Sequence, residues 1–131
     1  MHKDFINSYK ELSDAYGRLK SGSMKAKEDY EKEMVAQRFE FTFGLLLKYL
    51  KILLKERRME CKFPKECIKA AARFGLIPNE NIYIEMLEDR YKIAQLRGQK
   101  IPDELYRKIK VKYIIVLGKF LGRIEKEFII S

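Results

Sequence analysis

The sequence predicts an all-α protein, more closely an up-and-down four-helix bundle with one additional short helix. Apolar residues recur at spacings of three and four along nearly all of the 131 residues, which is the period of amphipathic helices. Only three prolines interrupt the chain, and the connections between periodic segments are short, as in helical bundles. No internal repeat or compositional change marks a boundary, so we expect residues 1–131 to form a single domain.

Two long helices are predicted in the N-terminal half. The first runs from about Lys3 to Lys20, and Ser21-Gly22-Ser23 is expected to end it. The second runs from about Met24 to Arg57. Between Phe39 and Leu54 nearly every residue outside one narrow stripe is apolar, so we expect this helix to be buried on most sides at the centre of the bundle. The stripe comprises Gln37, Glu40, Gly44, Lys48, Lys51 and Lys55.

A short third helix and a longer fourth helix follow. Phe63-Pro64 places proline at the favoured first position of the third helix, and Gly75 is expected to close it at the C′ position. After a turn, Asn79 is expected to cap the fourth helix. That helix should end near the loop formed by residues 97–100.

The last helix is predicted to be long, from Pro102 and Asp103 to about Ile129. Gly118 and Gly122 lie four residues apart within it, which would permit close approach of another helix from this chain or from a second one. Its apolar stripe consists of Leu105, Ile109, Tyr113, Val116, Phe120, Ile124 and Phe128.

The composition argues against several classes of protein. Nothing near the N-terminus resembles a signal peptide, and the most hydrophobic window is too short and too charged to span a bilayer, so we expect a cytoplasmic protein that does not bind membranes. Cys61 and Cys67, with a five-residue gap, match no common zinc pattern, and His2 is the only histidine. We therefore expect no metal site and two reduced thiols.

The net charge of +9 favours an acidic partner, either a nucleic acid, an acidic protein surface or a nucleotide. The densest basic runs are residues 55–58 and a group in the last helix, namely Arg107, Lys108, Lys110 and Lys112. Such runs contact phosphates without sequence specificity, or they simply form solvated surface. A basic helical module that binds nucleic acid is accordingly one hypothesis for the function.

Arg90 in the fourth helix is the residue that most strongly suggests a site. Tyr83, Met86, Leu87 and Arg90 fall on one stripe of that helix, so Arg90 shares its apolar face. A guanidinium in such a place needs a carboxylate, a phosphate or water to offset its desolvation. Arg90 is thus either part of a structural ion pair or part of a binding site.

The acidic residues beside Arg90 are open to the same two interpretations. Glu85 and Asp89 are four residues apart, as are Glu88 and Lys92. Pairs at this spacing are typical of a charged, solvated helix face. Spacing alone favours this structural interpretation, and a functional site is the alternative.

Three segments resemble blocks of one known family. Residues 86–97 read MLEDRYKIAQLR, similar to the motif MLEDRN-x-x-x-H-x-Y. Residues 37–48 read QRFEFTFGLLLK, similar to QRFEFTFELAWK, and residues 68–77 read IKAAARFGLI, similar to IREAFKAGLI. The chain, over about residues 34–124, therefore resembles the HEPN superfamily in its branch of nucleotidyltransferase substrate-binding proteins.

The chain departs from the pattern of this family at four positions. Arg90 matches the motif arginine, whereas Gln95 stands at the histidine position and Arg97 at the tyrosine position. In the second block Gly44 and Leu47 replace a glutamate and a tryptophan. The resemblance thus implies a pocket of altered composition around Arg90. Arg38, Glu40 and Lys48 match the family pattern, and one interpretation is that they line this pocket from the second helix. The alternative is that Arg38 and Glu40 anchor the bundle through buried pairing and that Lys48 is solvated.

The family's arginine and histidine are taken as a ribonuclease pair, and the histidine is missing here. Metal-independent RNA cleavage needs groups that exchange protons near neutral pH, which suits histidine and not Gln95. The sequence also has no Gly-rich phosphate loop, no acidic metal triad and no nucleophile with a histidine base. We therefore expect no catalytic residue, no metal and no cofactor.

The resemblance implies a non-catalytic binding subunit that pairs with a separate minimal nucleotidyltransferase, in substrate presentation or in a toxin–antitoxin system. It also implies a homodimer, with a nucleotide or RNA as a further ligand. Arg90 would bind a phosphate or an acidic partner group, oriented by Glu88 and Asp89, while Gln95 would supply a polar contact. The alternative from another class is a HEPN-type ribonuclease toxin with an altered site, in which Tyr91, Glu88 or Asp89 substitutes for histidine.

Overall fold

The structure, a computed structural model, describes the backbone of residues 2–130 and the side chains of residues 3–127. It is all-α, as predicted, and no strand occurs within residues 2–130. The first four helices are α1 (His2–Lys25), α2 (Asp29–Glu56), α3 (Pro64–Arg73) and α4 (Asn81–Gln95). A continuous C-terminal helix then comprises α5 (Asp103–Lys108), the π-helical segment π1 (Ile109–Tyr113), α6 (Ile114–Ile124) and a second π-helical segment, π2 (Glu125–Ile130).

The predicted break at Ser21-Gly22-Ser23 is wrong, because α1 continues to Lys25. The Ser23 hydroxyl donates to the carbonyl of Lys20 at 2.8 Å, so this serine is satisfied within the helix. Gly22 lies so close to Arg38 of α2 that an added Cβ would be 2.7 Å from the guanidinium Nη1. Packing between α1 and α2 therefore outweighs the weak helix propensity of these residues.

Helix α2 forms the centre of the molecule and packs against α1, α3, α4 and α5. Phe39, Phe43 and Tyr49 on α2 are fully buried. Two of these rings contact the C-terminal helix: the centroid of Phe39 lies 5.2 Å from that of Tyr113, and the centroid of Tyr49 lies 6.2 Å from that of Phe120. The prediction that α2 is buried on most sides is confirmed, and these aromatic contacts hold the C-terminal helix against it.

Helix α3 begins at Pro64 and is closed by Gly75, as predicted. Gly75 has a φ of +73°, and the N–H groups of Gly75 and Leu76 donate to the carbonyls of Ala72 and Ala71, which is a Schellman motif. The prediction of reduced thiols is wrong, because Cys61 and Cys67 form a disulfide. The chain turns at Pro64 so that the two Cα atoms lie 5.3 Å apart, within bonding range.

The C-terminal helix is continuous, as predicted, but its two π-helical segments change the direction of its side chains. Gly118 contacts the Tyr16 hydroxyl of α1 closely enough that a Cβ would collide with it, which confirms one close helix approach. Gly122 has no atom within 4 Å of where its Cβ would lie, so it makes no such contact within the described chain. The Phe128 side chain lies outside the described residues. No helix of the described part is long and apolar enough to cross a membrane.

Candidate functional site

Arg90 of α4 lies directly against Gly44 of α2. A Cβ added to Gly44 would be 3.0 Å from Nη2 and 3.6 Å from Cζ of Arg90. Both residues are half-buried. Among the side chains of residues 3–127, none forms an ion pair with Arg90 or accepts a hydrogen bond from it. The guanidinium is therefore partly desolvated over a bare stretch of helix backbone, and the described chain supplies no anion for it.

Exposed apolar side chains occur on the two helices that form this contact. Phe41, one turn before Gly44, is 61% exposed, and Met34, two turns further back on the same face of α2, is 47% exposed. Tyr91, next to Arg90, is 50% exposed. A cation with apolar neighbours on one surface has the composition of an interaction surface.

Glu40 does not neutralise Arg90. Its carboxylate lies 3.3 Å from Nη2 of Arg97, which stands where the resembled family has tyrosine. The Glu40 side chain is 16% exposed and that of Arg97 is 73% exposed. Because Glu40 pairs with Arg97, it does not pair with Arg90, which has no carboxylate partner among the described side chains.

Asp89 belongs to a buried network that faces the C-terminal helix. Its side chain is only 2% exposed, so the interpretation of a solvated helix face is wrong for this residue. Lys108 Nζ lies 3.0 Å from its Oδ2, and Lys92 Nζ lies 3.6 Å from its Oδ1. The Tyr113 hydroxyl donates a short hydrogen bond to the same carboxylate. Two hydrogen bonds and one ion pair thus offset the burial of this side chain.

Glu85 extends this network by one turn of α4. It accepts from Lys112 at 3.0 Å and from the Tyr113 hydroxyl at 3.1 Å, and Lys108 lies 3.1 Å away. The hydrogen bond from Lys112 is the main reason that the pKa of Glu85 falls to about 2, with smaller contributions from Lys108 and Tyr113. Glu85 is therefore ionised at neutral pH.

Tyr113 and Lys108 respond to the two acidic residues of the network. Burial raises the pKa of Tyr113, and the hydrogen bond to Asp89 raises it further, so the phenol stays protonated as a donor. Burial alone would lower the pKa of Lys108, but Asp89 and Glu85 outweigh this effect and raise it. Lys108 is therefore held in its protonated form between the two acidic side chains.

Sequence reasoning missed the part played by Lys108, Lys112 and Tyr113. Segment π1 is the cause: its hydrogen bonds join residues five apart, so Lys108 and Tyr113 reach the same side of the helix. A regular period of 3.6 does not reveal this arrangement. Lys108 and Lys112 of the predicted basic run are paired with Glu85, whereas Arg107 and Lys110 are exposed without such a partner among the described side chains.

Gln95, at the position of the missing histidine, lines an open cleft of about 350 Å³ between α4 and the C-terminal helix. Asp89, Lys92, Glu104 and Lys108 line the same cleft. Polar groups of both signs are therefore present, together with apolar walls from Leu96, Pro102 and Leu105.

The remaining predicted site residues lie apart from this cleft. Lys48 is exposed, 3.9 Å from Glu11 of α1. Arg38 donates to the carbonyl of Arg18 at 3.1 Å, so it faces α1 and not Arg90. Glu88 is exposed, and its expected pairing with Lys92 is replaced by the contact between Lys92 and Asp89.

The six predicted site residues thus do not form one pocket. Asp89 and Gln95 share the cleft, whereas Arg90, one position after Asp89 on α4, faces α2. Within the described chain, no group of three His, Cys, Asp or Glu side chains is placed to hold a metal ion.

Comparison with known proteins assigns the chain to a family. The family model described as "Nucleotidyltransferase substrate binding protein like" matches residues 2–126. No curated protein matches the chain significantly. The match spans all of the first four helices and most of the C-terminal helix, including both Arg90 and the Asp89 network. The chain therefore belongs to the nucleotidyltransferase substrate binding protein-like family.

Proposed function

We propose that this protein is a non-catalytic binding subunit that pairs with a separate minimal nucleotidyltransferase, and that Arg90 binds an anionic group of the partner or of its nucleotide or RNA substrate. The observation that carries the proposal is the half-buried Arg90 guanidinium, for which residues 3–127 provide no acceptor. A partly desolvated charge gains most from a carboxylate or a phosphate. The net charge of +9 draws such partners toward the protein.

The other residues around Arg90 have supporting roles in this proposal. Asp89 fixes α4 to the C-terminal helix through Lys108 and Tyr113, and so sets the position of Arg90. Exposed Glu88 and Gln95 supply polar contacts to the partner from the same helix. Glu40 and Lys48 contribute charges along α2 on either side of Gly44. Glu40 and Lys48 are already paired, with Arg97 and Glu11, whereas Arg90 has no ion-pair partner among the described side chains.

We also propose a homodimer in which the Arg90-bearing surfaces of two copies face each other. Support comes from Phe41 and Tyr91, which are aromatic, more than half exposed, and within one helical turn of Gly44 and Arg90, and from Met34, which is 47% exposed two turns further back on α2. Burial of such side chains is what stabilises association between subunits. Two Arg90 groups would then border one shared cleft, open to a nucleotide or to a partner segment.

A cytoplasmic location is part of the proposal. The disulfide is unusual in that compartment, but intracellular disulfides are common in proteins of hyperthermophiles. A charged content of 36% is in keeping with such a source. The predicted system, whether substrate presentation or toxin–antitoxin, would therefore operate inside the cell.

Co-purification tests the partnership. The protein would be co-expressed with a minimal nucleotidyltransferase encoded beside it, and the complex would be isolated through a tag on the partner. We expect Arg90→Gln to weaken retention at least about tenfold, since a hydrogen bond to a charged group is lost. The matched control is Arg107→Gln, which removes the same charge from an exposed position on α5.

A second variant changes the charge of the site and keeps Arg90. In Gly44→Glu the new carboxylate lies beside the guanidinium and competes with the anionic ligand, so retention should fall as in Arg90→Gln. The proposal fails if no complex forms with the unaltered protein, or if Arg90→Gln and Arg107→Gln retain the partner equally well.

A further inference from the structure

A second cleft, remote from Arg90, lies between the start of α4, the loop before it and α6. Its volume is about 260 Å³. Ile82 and Tyr83 of α4 form one wall, and Val116 and Phe120 of α6 form the other. No residue that lines it also lines the cleft beside Gln95. It is therefore a separate concavity with largely apolar walls.

The polar groups that line this cleft are hydrogen-bond donors. The Asn79 side-chain oxygen accepts the backbone N–H of Asn81 at 3.0 Å, which leaves the amide nitrogen of Asn79 as a donor. Lys119 is exposed and has no ion-pair partner among the described side chains. Burial raises the pKa of Tyr83, so its phenol stays protonated.

Arg123, which also lines the cleft, is already bound to other groups of the protein. Its guanidinium donates to the carbonyls of Gly75 and Leu76, and its Nε lies 3.1 Å from a carboxylate oxygen of Glu127. These bonds tie the α3–α4 loop to the C-terminal helix. No Asp or Glu lines the cleft, so Lys119 remains as an uncompensated charge at its rim.

We propose that this cleft binds a small monocarboxylic acid with a single apolar ring. The ring lies between Ile82, Val116 and Phe120, and the carboxylate accepts hydrogen bonds from Lys119 and Asn79. The volume is slightly below the roughly 300 Å³ at which pockets for drug-sized ligands begin, which limits the ligand to about one ring. The residues that line the cleft include hydrogen-bond donors and no carboxylate. A ligand with a carboxylate therefore complements the cleft in charge.

Methyl NMR of the full chain with 3-phenylpropionate as the probe tests the proposal. We expect the methyl resonances of Ile82 and Val116 to shift and saturate as the acid is added. The neutral analogue 3-phenylpropionamide should bind about fivefold more weakly, which is the scale of one partly exposed ionic contact. Absence of saturable shifts, equal affinity for acid and amide, or shifts only at methyls outside the cleft would overturn the proposal.

Two variants locate the binding. Lys119→Gln should weaken the acid about fivefold and leave the amide unchanged, whereas the matched control Lys110→Gln should change neither. Val116→Phe should fill the cleft and abolish binding; Ile82→Phe serves if that variant does not fold. If a folded variant with a filled cleft still binds the acid, the proposed site is wrong. Partner retention through Arg90 is a separate measurement, so either proposal can fail alone.

Discussion

Gly44 of α2 and Arg90 of α4 are in such close contact that a single methyl group on Gly44 would lie 3.0 Å from Nη2 of Arg90. The glycine lets a long cationic side chain rest on a helix backbone without a carboxylate beneath it. The guanidinium is consequently half-buried and unpaired within the described chain. This contact, more than the acidic residues around it, distinguishes the candidate site.

Gly44→Ala should change the stability of the protein and its binding to the partner in opposite directions. Alanine favours a helix over glycine by about 0.5–1 kcal/mol, and the atom it meets is the flexible end of Arg90, which can move outward. We expect a slightly higher free energy of unfolding in urea, together with weaker retention of the nucleotidyltransferase. A lower stability would mean that the Arg90 side chain cannot move away from the new methyl group. Unchanged retention would mean that the position of Arg90 does not matter for binding the partner.

Tyr113→Phe should destabilise the protein by about 2 kcal/mol. The variant removes the hydroxyl that donates to buried Asp89 and to Glu85, and hydrogen bonds to charged groups contribute roughly 1.5–3 kcal/mol. Urea unfolding measures the change, and Tyr91→Phe, on the exposed side of α4, is the matched control. Equal effects of the two substitutions would contradict the structural role of the network.

Acid should destabilise the protein through Glu85. Its pKa is about 2 in the folded protein and 4.5 without structure, so its stabilisation is present above about pH 4.5 and is lost as pH falls toward 2. Glu85→Gln should make unfolding less dependent on pH across that interval. The control Glu88→Gln alters an exposed carboxyl of the same helix and should leave the wild-type dependence unchanged.

Reduction of the Cys61–Cys67 disulfide should lower the free energy of unfolding by about 2 kcal/mol, the loop-entropy value for a closed loop this short. The measurement is urea unfolding with and without dithiothreitol. Cys61→Ser should unfold at the same urea concentration in both conditions, since it has no bond to reduce. A wild-type protein insensitive to reductant would show that the bond adds no stability.

The purified protein should leave RNA intact. Gln95 cannot exchange a proton at neutral pH, and the nearby carboxylates Asp89 and Glu85 are held by Lys108, Lys112 and Tyr113. Incubation with structured and unstructured RNAs, followed by gel analysis, checks this expectation. Cleavage that disappears in Arg90→Ala would instead establish the alternative of a ribonuclease with an altered site.

The sequence by itself determined the helices and much of the core. The period of 3.6 predicts an all-α fold, and the run from Phe39 to Leu54 predicts a central, mostly buried α2. Gly75 closes α3 as expected, because only a residue tolerant of positive φ fits the C′ position. These features depend on local backbone preferences and on side-chain spacing, which the sequence displays directly.

Only the tertiary structure decided how the candidate residues are grouped. Asp89 and Arg90 are adjacent in sequence, but consecutive residues of a helix point about 100° apart, so one joins the C-terminal helix and the other meets α2. Two of the partners of Asp89, Lys108 and Tyr113, lie 19 and 24 residues away and reach it from the C-terminal helix. Contacts of this kind depend on how whole helices pack, and spacing within one helix cannot reveal them.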